Sequence, residues 1–94
     1  GVTTTRGSKL FADHSPSEDA TVVKRLLDAG GIFIGKNNMP EFALWWETGN
    51  LIFGTTNNPW DLTKTAGGSS GGEAAAIASG MSPIGLGTDV GGSI

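Results

Sequence analysis

Glycine crowds the end of this chain. Of 16 glycines in 94 residues, nine fall between Ala66 and Ile94. Glycine gives up more backbone freedom on folding than any other residue and brings no side chain to a core. A stretch this rich in it must use glycine for turns, for close backbone approach or for contact with a ligand. Two clusters stand out: Gly67-Gly68-Ser69-Ser70-Gly71-Gly72 and Gly87-Thr88-Asp89-Val90-Gly91-Gly92-Ser93.

The segment between the clusters is patterned. Gly71 to Ser79, with Ala74, Ala75, Ala76 and Ala78, reads as a helix of small residues that Gly80 ends. Ser70 and Glu73 have the Ser-x-x-Glu spacing of a capping box. Pro83-Ile84-Gly85-Leu86-Gly87 reads as a buried strand. Upstream, Ala20, Val23 and Leu27 recur at helical spacing within Ser17–Ala29. Ser17 is placed to cap that helix, Glu18 and Asp19 sit at its positive end, and Gly30 supplies the left-handed stop. Ile32-Phe33-Ile34-Gly35-Lys36 is a short β-branched apolar run, the pattern of a parallel strand covered on both faces. Met39–Leu44 suits one or two helical turns, and Trp45–Thr65 reads mainly as loop. Helices alternating with buried strands predict an α/β fold with a mixed or parallel central sheet flanked by helices.

Composition removes several classes. Nine acidic and six basic side chains give a net charge of −3, and no cation follows Lys64. A nucleic-acid surface needs clustered Lys and Arg, so no nucleic-acid partner is expected. With no Cys and a single His14, neither a disulfide scaffold nor a Cys- or His-rich metal site is available. No apolar stretch is longer than that of Ala74–Ala78, far shorter than the roughly 20 residues of a spanning helix. No membrane partner, metal or cofactor is expected, and a cytoplasmic protein is the default. The chain starts without Met and stops at Gly91-Gly92-Ser93-Ile94, which suggests an internal segment of a longer protein.

Element order predicts where the serines go. In a parallel crossover a helix starts at the carboxyl edge of the sheet, and the next strand returns there. A helix of about nine residues covers about 13 Å, and a strand of five or six covers a similar length. Ser69, before the helix, and Ser93, past the strand, should therefore meet at one edge.

Four readings compete for these loops. A phosphate loop fits Gly67–Gly72, but Glu73 stands where the Walker pattern needs Lys. A nucleophile elbow, Gly-x-Ser-x-Gly, fits Gly67–Gly71, but its His should follow and His14 precedes. Both clusters could serve packing only, with Ser70 as a cap. In the last reading both serines carry chemistry.

For a generic sequence the packing reading would stand; a family resemblance points to the last. Gly67-Gly68-Ser69-Ser70-Gly71-Gly72-Glu73-Ala74-Ala75-Ala76, followed by Gly87-Thr88-Asp89-Val90-Gly91-Gly92-Ser93-Ile94, closely resembles the amidase signature family. Thr4-Thr5-Arg6-Gly7-Ser8, the Glu18-Asp19-Ala20 helix, Gly35-Lys36-Asn37-Asn38-Met39-Pro40-Glu41-Phe42 and Asn58-Pro59-Trp60-Asp61 agree in the same order. The resemblance covers nearly the whole chain and makes residues 1–94 part of an amidase signature domain. One departure is Ala66, where the family usually has Pro.

The resemblance implies hydrolysis of a carboxamide C–N bond by a Ser–Ser–Lys triad through an acyl-enzyme, without cofactor. By motif position Ser93 is the nucleophile and Ser69 the bridging serine, held after a cis peptide bond from Gly68. The amides of Val90, Gly91, Gly92 and Ser93 form the oxyanion hole. The base is a Lys in a Lys-Asp-Asn-type motif upstream of the Thr-Thr segment. Lys36 lies in a different motif and reads as structural, so the base lies outside the chain, which is then inactive by itself. Ser70 is a supporting residue, best explained as a cap, and Asp89 an acid bonding local amides. Ala43, Leu44 and Trp46 resemble a segment lining the acyl pocket. Trp45-Trp46-Glu47-Thr48 tilts the reading towards a stand-alone amidase acting on a small-molecule amide. The glutaminase-type A subunit of a tRNA-dependent amidotransferase shares the same motifs, and a catalytically silent scaffold is the alternative of another class.

Overall fold

The computed structural model describes all of residues 1–94. Two helices form, α1 over Thr21–Asp28 and α2 over Gly71–Ala78, with 3-10 turns at Lys9–Phe11 and Glu41–Ala43. Neither helix is long and apolar enough to cross a membrane. α1 begins later than the sequence predicts. Ala20 is its N-cap and no side chain bonds the free amides there, so nothing extends the first turn back to Ser17. Its end follows expectation, with Gly30 at φ 90° and its amide on the Leu27 carbonyl at 2.9 Å.

The loop expected over 45–65 contains two antiparallel ribbons. β1 (Gly49–Asn50) pairs with β2 (Gly54–Thr55), Gly49 facing Thr55 and Asn50 facing Gly54. β3 (Asn57–Asn58) pairs with β4 (Asp61–Thr65). Side chains that bond their own backbone close both turns. Asn50 Oδ1 accepts from the amides of Ile52 and Phe53 at 2.9 and 2.8 Å. Asn58 Oδ1 accepts from the Trp60 amide at 2.9 Å. Asn and Asp favour turns for this reason, but in a stretch this polar the signal does not say that strands flank them.

The two apolar runs behave differently from expectation. Ile32–Lys36 and Pro83–Gly87 take no part in a sheet; the ribbons β1–β2 and β3–β4 are the only strand pairs. A parallel strand pairs with a strand from another crossover unit, and these 94 residues bring no such partner alongside either run. The chain thus joins helices and strands as an α/β structure, while the mixed or parallel central sheet is not completed within it.

Burial tells the same story. The accessible surface is 6732 Å², against about 5,100 Å² for a compact protein of this mass. Ala76 is the one buried hydrophobic residue. Ile32, Ile34, Ile84 and Leu86 of the apolar runs are all exposed. What is buried is a seam of small groups: Gly7, Ser8, Pro40, Thr48, Ser69, Gly71 and Gly72. At that seam α2 meets the β1–β2 hairpin and the 38–40 segment. A Cβ on Gly72 would overlap the Asn38 backbone, and one on Gly71 would overlap the Thr48 hydroxyl. Glycine is required at both positions by close approach.

Candidate active site

The Ser69 loop is built against the hairpin. Its Gly68–Ser69 peptide is cis, as the resemblance implies. Ser69 is 3% exposed, and a Cβ on Gly68 would lie 3.0 Å from the backbone of Trp46 and Glu47. The loop runs into α2, whose first turn carries Glu73.

The capping box does not form. Ser70 is the N-cap residue of α2, yet its side chain bonds no helix amide. Its Oγ instead accepts from the Thr88 amide at 3.1 Å and donates to the Thr88 carbonyl at 3.2 Å. Glu73 accepts from Asn37 Nδ2 at 2.5 Å rather than reaching back to Ser70. A hydroxyl with one proton and two lone pairs serves a facing peptide unit as well as a cap, and here the second glycine loop supplies that unit.

The two serine loops are therefore neighbours. The Ser70 amide donates to the Ser93 carbonyl at 3.1 Å, so the second loop is tied to residue 70 near both its ends. Element order predicts this meeting at a sheet edge. It occurs instead through direct loop-to-loop hydrogen bonds.

Inside the second loop Asp89 gathers the backbone. Its Oδ1 accepts from the Gly92 amide at 2.5 Å and its Oδ2 from the Ile94 amide at 3.0 Å. These bonds, with smaller help from the amides of Ser93 and Gly91, hold the Asp89 carboxyl below its ordinary value. Successive amides turned towards one point make an anion-binding nest. In this structure the nest holds the chain's own carboxylate. Val90 points into solvent, and its amide makes no hydrogen bond.

The remaining candidates converge. A groove of about 210 Å³ is lined by Ala43, Leu44, Trp45, Trp46, Val90, Gly91 and Ser93. It joins the segment singled out as a pocket wall to the loop that carries Ser93. The wall follows an unusual backbone: Phe42 and Ala43 have φ of 52° and 60°. Non-glycine residues rarely adopt that region and do so where surroundings fix them. Here the Phe42 amide donates to the Arg6 carbonyl at 2.8 Å, and the Phe42 ring packs edge-on against Phe11 at 5.9 Å. His14 also stacks edge-on with Phe11, at 5.6 Å. Lys36 Nζ bonds the Thr4 hydroxyl. A larger depression of about 440 Å³ along α1 is lined by Glu18, Asp19, Lys24, Leu27 and Asp28. It holds no nucleophile, and its exposed Lys24–Asp28 pair at 2.8 Å is an ordinary i,i+4 contact.

One residue escaped the sequence reading. Thr48 is fully buried, and its Oγ1 donates to the Gly67 carbonyl at 2.8 Å while accepting from the Gly71 amide at 3.0 Å. Glu47-Thr48-Gly49 carries no local signal for such a role, because the partners lie about 20 residues downstream.

Known proteins share this arrangement of segments. The Amidase family model matches residues 1–94. The A subunit of the glutamyl-tRNA(Gln) amidotransferase of Alkaliphilus metalliredigens is 55% identical over 94 residues, which are 100% of this chain and 19% of that protein. Among solved structures, one comes from a vestigial protein complex that bears on the evolutionary origins of an s-triazine catabolic enzyme. It superposes with a TM-score of 0.93 at 49% identity, over 100% of this chain and 21% of that one. The 6-aminohexanoate cyclic dimer hydrolase matches with a TM-score of 0.85 at 38% identity, over 88% of this chain and 18% of that one. The chain spans about a fifth of the length of the curated relatives it matches.

Proposed function

We propose, from the premise that this chain belongs to the amidase family, that it carries the two serines of an enzyme that hydrolyses a carboxamide. The observation that carries the proposal is the hydrogen bond from the Ser70 amide to the Ser93 carbonyl at 3.1 Å. It makes neighbours of two serine loops 24 positions apart in sequence. In this reading Ser93 Oγ attacks the amide carbon and passes its proton to Ser69 Oγ. Ser69 gives its own proton to a neutral Lys lying outside residues 1–94. Collapse of the tetrahedral intermediate breaks the C–N bond, and the relay protonates the departing amine. Water then attacks the acyl-enzyme and releases the carboxylate.

The loop amides would hold the oxyanion. Val90 offers a free donor, and Gly91, Gly92 and Ser93 stand beside it. Asp89 competes for Gly92, so the substrate oxygen must take that amide over or rely on its neighbours. Preorganised donors of this kind are worth about 3–4 kcal/mol each. The groove of Ala43, Leu44 and Trp46 beside Ser93 supports its assignment as the wall of the acyl pocket. The uncovered apolar runs support the view that residues 1–94 are one part of a larger amidase domain whose sheet takes in Ile32–Lys36 and Pro83–Gly87. A small-molecule amide is the substrate class, with no metal or cofactor in any step.

The identity to the A subunit of an amidotransferase favours a second reading. The whole protein would release ammonia from an amide for transfer to a charged tRNA in the presence of partner subunits. Transfer that needs those partners selects this reading, and amide hydrolysis without it selects the first. The test common to both is Ser93→Ala in the full-length protein. Turnover of a carboxamide should fall by at least about 10⁴-fold, followed by ammonia release. Undiminished ammonia release would reject Ser93 as the nucleophile, and no release from the unaltered full-length protein would leave a silent scaffold as the better description. The 94 residues by themselves lack the base and are expected to release no ammonia from the same amide.

A further inference from the structure

We propose that Thr48 is a positioning residue for the bridging serine, its hydroxyl fixing the loop on both sides of Ser69. This rests on the reading of Ser69 as a relay between Ser93 and a base.

Thr48 is completely shielded from solvent. A hydroxyl offers one proton and two lone pairs. The proton goes to the Gly67 carbonyl at 2.8 Å and a lone pair takes the Gly71 amide at 3.0 Å. These residues lie two before and two after Ser69, whose own carbonyl stands 3.4 Å from the same oxygen. One atom thus ties down the backbone that carries Ser69 from either side.

The anchor is itself held. The Thr48 carbonyl accepts from the Thr56 amide at 2.9 Å, and the next residue, Gly49, pairs with Thr55. β-branching limits Thr to few side-chain rotamers. No water can stand in for the hydroxyl at a buried site, so its loss leaves a carbonyl and an amide unsatisfied. A proton relay through a serine needs its oxygen within hydrogen-bond reach of both partners, and displacement by about 1 Å costs up to about 100-fold in rate.

The test uses the full-length protein and a fluorophosphonate, which labels an activated serine whatever the natural substrate. Thr48→Val keeps the shape and removes the hydroxyl, while Thr48→Ser keeps the hydroxyl. Labelling of Ser93 per folded molecule is expected to slow about 10- to 100-fold in Thr48→Val and to stay within about threefold in Thr48→Ser. A merely structural threonine would change the melting temperature and leave the labelling rate of the folded fraction unmoved. Labelling of folded Thr48→Val at the unaltered rate overturns the proposal, and so does Thr48→Ser labelling as slowly as Thr48→Val. If Thr48→Val does not fold, Thr48→Ala takes its place: labelling of its folded fraction slowed about 10- to 100-fold upholds the proposal, and labelling at the unaltered rate overturns it. Ser93→Ala separates the two levels. If that variant is labelled as fast as the unaltered protein, the serine reading itself fails. If it is silent while Thr48→Val is unaffected, only the positioning role falls.

Discussion

The two glycine–serine loops look alike in sequence and are built in opposite ways. In the first, Ser69, Gly71 and Gly72 are buried, and the grip comes from other parts of the chain: the Thr48 hydroxyl, the Asn38 backbone and the strand-entry backbone of Trp46 and Glu47. In the second, Val90, Gly91 and Gly92 are exposed, and a Cβ on Gly91 would meet open space. That loop is held from within by Asp89 and at its ends by Ser70. Glycine in the first loop permits contact between backbones. In the second it lets successive amides turn towards one acceptor, the Asp89 carboxylate. A loop that must keep a side chain in one place gains from the first design, and a loop that must offer donors to an incoming atom needs the second.

The contrast is most sharply exposed by adding one methyl group to each loop. Gly72→Ala drives a Cβ into the Asn38 backbone, which cannot retreat without moving the hairpin. Overpacking of this kind costs about 1–3 kcal/mol. Gly91→Ala meets no neighbour, and surface changes of that sort stay within about 0.5 kcal/mol. Urea unfolding of the two variants in the full-length protein should show a clear loss of midpoint for the first and almost none for the second. Equal losses would mean that the second loop is packed as tightly as the first.

Cutting the bond between the loops has a smaller and more local effect. Ser70→Ala removes both side-chain contacts to Thr88 and no helix cap, because Ser70 makes none. The expected cost is about 0.5–1.5 kcal/mol. Amide exchange should speed up at Thr88 and stay unchanged at Gly71, which Thr48 holds. Faster exchange at Gly71 would show that Ser70 supports the first loop as well.

What the sequence shows of this arrangement follows the range of the interactions. The helices at 21–28 and 71–78 are local, set by apolar spacing and glycine stops, and are legible within a residue or a few. The nearness of the two serine loops is legible because element order constrains it, although the sheet invoked to explain it does not form here. The ribbons at 49–65 are hidden, because short polar strands such as Gly49–Asn50 and Asn57–Asn58 have no alternation to read. The Ser70 cap is misread because local spacing cannot see Thr88 across the fold. Thr48 is invisible for the same reason, being defined by partners about 20 residues away. The groove wall at Ala43, Leu44 and Trp46 is named by family resemblance, and nothing in its own residues places it beside Ser93.

The smallest effect concerns charge, and it too separates the loops. Asp89 is the one titrating group in the second loop, while the first hangs on a hydroxyl that does not titrate. The Asp89 carboxyl lies below its ordinary value of 3.8, chiefly because the Gly92 amide, then those of Ile94 and Ser93, bond its charged form. A group lowered in this way stabilises the loop fully above its ordinary value, and the contribution is lost as pH falls through the lowered one. Amide proton shifts of Gly92 and Ile94, followed in acid from about pH 6 downward, should therefore hold steady while the carboxylate stays charged. They should then move together with a midpoint below 3.8. The Gly71 amide, bonded to the Thr48 oxygen, should not share that transition. Midpoints for Gly92 and Ile94 at or above the ordinary carboxylate value would mean that the amides do not rest on Asp89 in solution. The second loop would then stand open, with all its donors free, and its difference from the first would be greater still.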